Sequence, residues 1–287
     1  MKRADALKDI IAKKNERIAL AKQQISQETL RSKILTLGPT LPFLEAISKP
    51  HTFSLIAEIK KASPSGGVIC QDFNPVQIAR YYREAGAAAI SVLTEEDFFQ
   101  GSVSYLSDVR GAVSDIPLLR KDFIFEPYQI YESRAFGADA VLLIADLLSK
   151  EKIQELVMLA QGLGLECLVE VHEEKELKKI LSLKIPLSGV PQERAAKKVP
   201  GRATHKEIPF ALGINNRDLH SLEVDFKTTE RLFPLIPKDR VIVVESGIKS
   251  YQDALFLKIL GVNAILVGEA ILRSPHIVST IQELMGW

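Results

Sequence analysis

Short apolar runs alternate with longer amphipathic stretches along most of this chain. The runs Phe53 to Lys60, Ala87 to Thr94, Pro117 to Phe123, Ala140 to Ala145, Leu165 to His172, Phe210 to Arg217, Arg240 to Ser246 and Ala264 to Gly268 are all strand-length. Between them, segments such as Pro75 to Ala85, Glu151 to Leu163 and Tyr251 to Leu260 repeat apolar residues at helical spacing. Strands alternating with helices predict parallel pairing through right-handed crossovers, and eight of them predict one closed (β/α)8 TIM barrel of the α/β class. An open doubly wound sheet competes, but no G-x-G-x-x-G or G-x-x-x-x-G-K-[ST] turn occurs; Ser63-Pro-Ser-Gly-Gly67 is a turn of another kind. Residues 1–48 hold no strand and carry Leu7, Ile10, Ile11, Ile18 and Leu20 at mostly helical spacing, so they predict extra N-terminal helices whose charges form a solvated face. Residues 184–209, basic and punctuated by proline, read as an inserted loop before strand six of a single domain spanning 1–287.

Charge gathers at the carboxyl ends of the predicted strands. Side chains alternate faces along a strand, so Ile56, Glu58 and Lys60 share one face while Ala57, Ile59 and Lys61 share the other. The same spacing pairs Lys121 with Phe123, Glu170 with His172 and Asn215 with Arg217, and strand seven ends in Glu245-Ser-Gly247. Barrels of this type build their sites at that end. Inward-pointing faces would therefore bring three carboxylates, two lysines and an arginine to one mouth. One strand-end charge is readily a solvated residue, but unpaired charge inside a barrel costs several kcal/mol, so five charged strand ends point to a site. Ser246, Gly247, Gly268 and the Glu269 amide follow strands seven and eight, where such barrels commonly grip a phosphate through backbone N–H groups; Ser63 adds a hydroxyl.

Composition narrows the partners. With 287 residues, 46% of them hydrophobic and 25% charged, and a net charge of +1, the chain predicts a large core and no concentrated basic surface for nucleic acid or membrane. No apolar signal core follows the N-terminal charges, and the longest apolar runs are far short of the ~20 residues that span a bilayer. Two cysteines, Cys70 and Cys167, offer neither a disulfide framework nor a metal cluster, and the expected location is the cytoplasm.

The motifs Ala57-Glu-Ile-Lys-Lys-Ala-Ser-Pro-Ser-Gly66, Ser91-Val-Leu-Thr-Glu95, Phe98-Phe-Gln-Gly101, Leu119-Arg-Lys-Asp-Phe123, Gly137-Ala-Asp-Ala-Val-Leu-Leu-Ile144, Leu168-Val-Glu-Val-His172, Gly213-Ile-Asn-Asn-Arg-Asp218 and Val244-Glu-Ser-Gly-Ile248 closely resemble the indole-3-glycerol phosphate synthase family. They occur in the family's order from about Phe53 to the end of the chain. The resemblance implies a barrel enzyme of tryptophan biosynthesis, a carboxy-lyase. It would close 1-(2-carboxyphenylamino)-1-deoxyribulose 5-phosphate to indole-3-glycerol phosphate with loss of CO2 and water.

It also implies roles. Lys121 would protonate the ketone oxygen during ring closure, and Glu170 would take the ring nitrogen's proton during dehydration. Lys60 would hold the substrate carboxylate or serve as the acid in dehydration. Glu58 would position Lys121 or Lys60. Asn215 and Glu245 would hold the ribulose-derived hydroxyls, and Arg217 would be a charge partner. Phe99 and Phe123 would flank the anthranilate ring, with Ser63, Ser246, Gly247, Gly268 and the Glu269 amide on the phosphate.

A small hydroxyl residue is frequent in the family where this chain has Glu269, whose carboxylate would repel phosphate unless turned away. His172 either lines the site or caps the strand, and the structural role is the one expected. The chemistry implies no metal or organic cofactor, and the protein is expected to be a monomer or weak oligomer. The N-terminal helices are expected to fold over the mouth. Deleting residues 8–23 should then raise the substrate Michaelis constant, and unchanged kinetics in a folded truncation would dismiss a lid.

Two other readings make different demands. The phosphosugar isomerase acting one step earlier needs an acid/base pair of Asp and Cys, yet Cys70 lies past the first turn and Cys167 is mid-strand. A catalytically silent barrel has no physical reason to keep Lys60, Lys121 and Glu170 together.

Overall fold

The computed structural model describes residues 6–185 and 210–287, so most of the predicted insertion before strand six lies outside the described residues. Eight parallel strands close a barrel: β1 (Ser54–Ile59), β2 (Ala89–Leu93), β3 (Leu118–Lys121), β4 (Ala140–Ile144), β5 (Glu166–Val171), β6 (Phe210–Asn215), β7 (Ile242–Glu245) and β8 (Ala264–Val267). Each pairs with its sequence neighbours, and β1 pairs with both β2 and β8.

Both faces of each strand are buried, which is why the strands read as continuous apolar runs. Ile56, Ala89, Leu119, Leu168, Ala211 and Val243 fill the interior. Ala57, Ile90, Leu118, Val169, Leu212 and Val244 pack beneath the surrounding helices. Helix starts follow local chemistry. Ser149 caps Lys150–Gly162 by accepting from the Lys152 amide, and Ser250 forms a capping box with Asp253 before Tyr251–Leu260.

Three helices precede the barrel: α1 (Ala6–Gln24), α2 (Gln27–Leu35) and α3 (Phe43–Ile47). Phe43 and Ile47 of α3 join the interior cluster from the amino-terminal end of the strands, where the Leu44 amide donates to Glu166 at 2.6 Å and the Leu41 amide to Asp139 at 2.7 Å. Leu7 and Ile10 of α1 join the same cluster at the opposite end, beside Phe123. Ile18 and Leu30 pack on Tyr128 and Tyr131.

The solvated charge expected on α1 is corrected by Lys14, which is 2% exposed. Its ammonium sits 2.8 Å from Asp122 and 2.7 Å from Glu96. Arg17 adds a bidentate pair with Asp97. Leu20, counted in the apolar pattern, is instead 50% exposed. Among the described residues no helix is long and apolar enough to cross a membrane.

Strand ends fall earlier than the sequence pattern suggested. Lys60, Phe123, His172 and Arg217 all lie just beyond their strands, so strand alternation does not set their directions. Phe123 nonetheless packs into the interior cluster, while Arg217 forms an isolated bridge with Val224. The Ser63-Pro-Ser-Gly-Gly67 turn becomes the tip of a two-stranded antiparallel ribbon, Ala62–Ser63 against Gly67–Val68, directly after β1.

Candidate active site

The predicted charges meet at the carboxyl ends of the strands. Glu58 from β1 forms an ion pair with Lys60. Lys121, at the end of β3, reaches between two carboxylates, 3.3 Å from Glu170 of β5 and 3.0 Å from Glu245 of β7. Asn215 of β6 donates its amide to the other oxygen of Glu170 at 2.9 Å. All three carboxylates are buried, so their charge is answered almost wholly by the two lysines.

Gly268 follows β8, where a Cβ would lie 2.6 Å from Glu58 Oε1 and 2.9 Å from Glu58 Cβ. A glycine is needed there because the Glu58 side chain occupies that volume. Glu58 was expected to steady Lys121 or Lys60; it contacts Lys60, and its field also reaches Lys121.

Burial alone would discharge Lys121, but the carboxylates of Glu245, Glu170 and Glu58 outweigh it and hold the ammonium above its ordinary range. Burial pushes Glu245 up to about 7 against the pull of Lys121, and Glu170 adds to the rise. Among the described residues, the Glu245 oxygens accept no hydrogen bond beyond this ion pair. The site therefore holds a charged lysine beside a carboxyl whose hold on its proton burial has strengthened.

A stability consequence follows. A carboxyl whose folded-state value lies above its unfolded value near 4.3 favours the folded state fully below that value and loses the benefit as pH rises through about 7. The stability advantage of Glu245→Gln over the ligand-free parent should therefore grow from pH ~5 to pH ~8 by a few kcal/mol. Denaturant unfolding at the two pH values checks this, and a pH-independent difference would refute it.

The family model for indole-3-glycerol phosphate synthase matches residues 7–197 and 204–284. This chain belongs to that family. An indole-3-glycerol phosphate synthase from Acetivibrio thermocellus is 44% identical over 279 residues, covering 96% of this chain and 98% of its own. One from Acidithiobacillus ferrooxidans is 41% identical over 283 residues, with 98% of each chain covered. The 3-hexulose-6-phosphate synthase from Salmonella typhimurium matches with a TM-score of 0.58 at 13% identity, covering 81% of this chain and 96% of its own, which is a likeness of fold alone. Like the rest of its family, the chain is a carboxy-lyase of tryptophan biosynthesis and binds a phosphorylated substrate.

The remaining candidate residues are less uniform. The Phe99 and Phe123 rings stand 6.3 Å apart at 44°. Arg217 departs from the expected cluster: its guanidinium donates to Ser65 Oγ at 3.1 Å and to the Leu222 carbonyl at 2.9 Å, and it forms no ion pair with the three carboxylates among the described residues. Its backbone amide instead donates to Asn215 Oδ1 at 2.9 Å and so helps orient that side chain. Ser246 and Gly247 both adopt positive φ, 64° and 83°, in the turn after β7. Ser63 Oγ accepts from the Gly66 amide at 3.0 Å. The Glu269 carboxylate is paired with Arg273 at 2.8 Å, so it is not a bare negative charge. His172 Nδ1 lies 2.7 Å from the Asn215 carbonyl and its amide donates to Glu176, while the residue also lines a cleft with Glu170, Asp218 and His220.

Two groups of buried acids escaped the sequence reading. Glu95 accepts from the amides of Asp97, Phe98 and Phe99 at 2.8 to 3.1 Å, and so holds the loop that carries Phe99. Asp122 binds Lys14, Arg120 at 3.0 Å and the Phe123 amide at 2.8 Å. A usable signal was present at the second: Arg120, within β3, points away from Lys121 by alternation, into the layer beneath the helices, where charge requires partners.

Proposed function

We propose that Lys121 is the proton donor of ring closure and Glu170 the base of dehydration in forming indole-3-glycerol phosphate from 1-(2-carboxyphenylamino)-1-deoxyribulose 5-phosphate. The observation that carries this reading is a part-buried ammonium held between the buried carboxylates of Glu170 and Glu245. The ring carbon bearing the carboxylate attacks the ketone carbon, and Lys121 gives a proton to the ketone oxygen as negative charge develops there. The carboxylate then leaves as CO2, returning its bonding electrons to the ring. Loss of the new hydroxyl as water, with Glu170 taking the N–H proton, gives a 2H-indole, and transfer of one proton from the neighbouring ring CH2 to that nitrogen completes the indole.

Lys60, paired with Glu58, supplies the second cation, for the substrate carboxylate or for the departing hydroxyl. Asn215 and Glu245 hold the ribulose-derived hydroxyls, and Phe99 and Phe123 flank the anthranilate ring and exclude water. Ser63, Ser246, Gly247, Gly268 and the Glu269 amide bind the phosphate; the Glu269–Arg273 pair removes the repulsion a free carboxylate would exert. Two free cysteines suit a reducing cytoplasm.

The isomerase reading has less support, since Cys167 is buried in β5 and its thiol is pushed up by burial. A fluorescence assay of indole-3-glycerol phosphate formation, run on the parent and on Lys121→Met, tests the proposal. A variant that forms product as fast as its parent would overturn the assignment of Lys121.

A further inference from the structure

Gly213 sits on β6 in register with Glu170 of β5 and Val243 of β7, and alternation places it on the inward face with Ala211 and Asn215. Its backbone is ordinary strand, outside the left-handed region that favours glycine. Glycine inside a strand is also intrinsically unfavourable, so backbone conformation does not account for it.

Space accounts for it. A Cβ at Gly213 would lie 2.5 Å from Glu245 Oε1, with Leu168 Cδ1 at 3.3 Å and Glu170 Cα at 3.5 Å. The last two neighbours could accommodate a methyl group with little movement, whereas the carboxylate oxygen could not stay where it is. Meanwhile the other oxygen of Glu245 is the one that meets Lys121, at 3.0 Å. The carboxylate is thus held at two points, one electrostatic and one a matter of missing volume.

We propose that Gly213 is a positioning residue for the reaction: the volume left by its absent side chain seats Oε1 of Glu245 and thereby aims Oε2 at the Lys121 ammonium. This rests on the assignment of Lys121 as proton donor. An added methyl group displaces the Glu245 carboxylate, and Lys121 is left with Glu170 as its nearer partner. The ammonium then moves relative to the ketone oxygen it must protonate. A displacement of about 1 Å in a reacting group costs on the order of a hundredfold in rate. Glu245 would also titrate from a new environment, because burial now raises its carboxyl and the Lys121 ammonium offsets only part of that rise.

The test is Gly213→Ala in the full chain, with kcat and KM measured from acid to alkaline pH. The expected result is a fall in kcat of roughly 10- to 100-fold, a smaller change in KM and a displaced midpoint in the pH profile. In a Glu245→Ala background the collision is gone, and Gly213→Ala should then cost less than about twofold. Equal losses in both backgrounds, or a parent-like pH profile, would overturn the proposal. Should Gly213→Ala fail to fold alone, folding restored by Glu245→Ala supports the seat, and failure in both backgrounds overturns it. Carboxyl-carbon NMR titration of Glu245 separates the seat from the role of Lys121. A shifted midpoint in Gly213→Ala supports the seat whatever the activity of Lys121→Met, and an identical titration overturns it even if that variant is inactive.

Discussion

Lys121→Met should make indole-3-glycerol phosphate with kcat about 10³- to 10⁴-fold below the parent and with a folded structure. General acid catalysis contributes ~10² to 10⁴ in rate, and a buried donor aimed at a developing oxyanion ~10² to 10³, so removing one group that performs both tasks has a compounded effect. The loss corresponds to ~4 to 5.5 kcal/mol of transition-state stabilisation. Methionine keeps much of the length of the lysine stem but cannot donate. Folding should survive because Glu245, raised to about 7, can take up a proton when its cation is removed and so relieve the repulsion from Glu170. Steady-state kinetics with circular dichroism as a folding control decide the matter. Turnover within tenfold of the parent would remove Lys121 from the proton-donor role.

Asp122→Ala should be the most destabilising of the substitutions considered, by about 3 to 5 kcal/mol, because it leaves two buried cations short of a carboxylate. Lys14 retains Glu96 at 2.7 Å and Arg120 retains Glu132 at 2.8 Å, which keeps the loss below that of two orphaned charges. For a chain of this size the fall in Tm is roughly 5 to 8 °C. Asp122 is also where α1 is fastened to the loop carrying Phe123, so substrate KM should rise along with the loss of stability.

The pH dependence supplies a second check. Burial tends to raise the Asp122 carboxyl, but Lys14 and Arg120 overcome it and hold it down to about 2. A depressed carboxyl stabilises the fold above its unfolded value near 3.9 and loses that contribution as pH falls towards the folded value. The gap between parent and variant should therefore be flat from pH ~8 to ~5 and should narrow below pH ~4. Thermal unfolding that shows less than 1 kcal/mol of difference at neutral pH would refute the buried network.

Much of the site was legible before any coordinates because its signals are local. Alternation along β1 puts Ile56 and Glu58 on one face, and the same rule holds for Leu168 with Glu170 and for Val243 with Glu245. Since the strands run parallel in a closed barrel, their carboxyl ends must share one mouth, and the charged residues there had to meet. The rule lost its hold one or two residues past each strand. Arg217 was expected among the carboxylates and turned instead towards Ser65 and Leu222, because a loop side chain follows its own hydrogen bonds once the ladder has ended.

The amino-terminal helices show the converse. Lys14 looked like one of many solvated lysines, and nothing within its own helix distinguishes it from Lys13, which pairs with Glu16 on the exposed surface. Its burial depends on Asp122 and Glu96, which belong to loops after different strands.

By itself the sequence determined the strand and helix alternation, the barrel that follows from it and the chemical types gathered at its mouth, because hydrophobic period and strand polarity are properties of short segments. The tertiary structure alone decided that Lys121 stands between Glu170 and Glu245, that Asp122 receives Lys14, and that Gly213 leaves room for a carboxylate. Those arrangements depend on distances between distant segments, which are set only when the barrel closes and its side chains compete for the same few cubic ångströms.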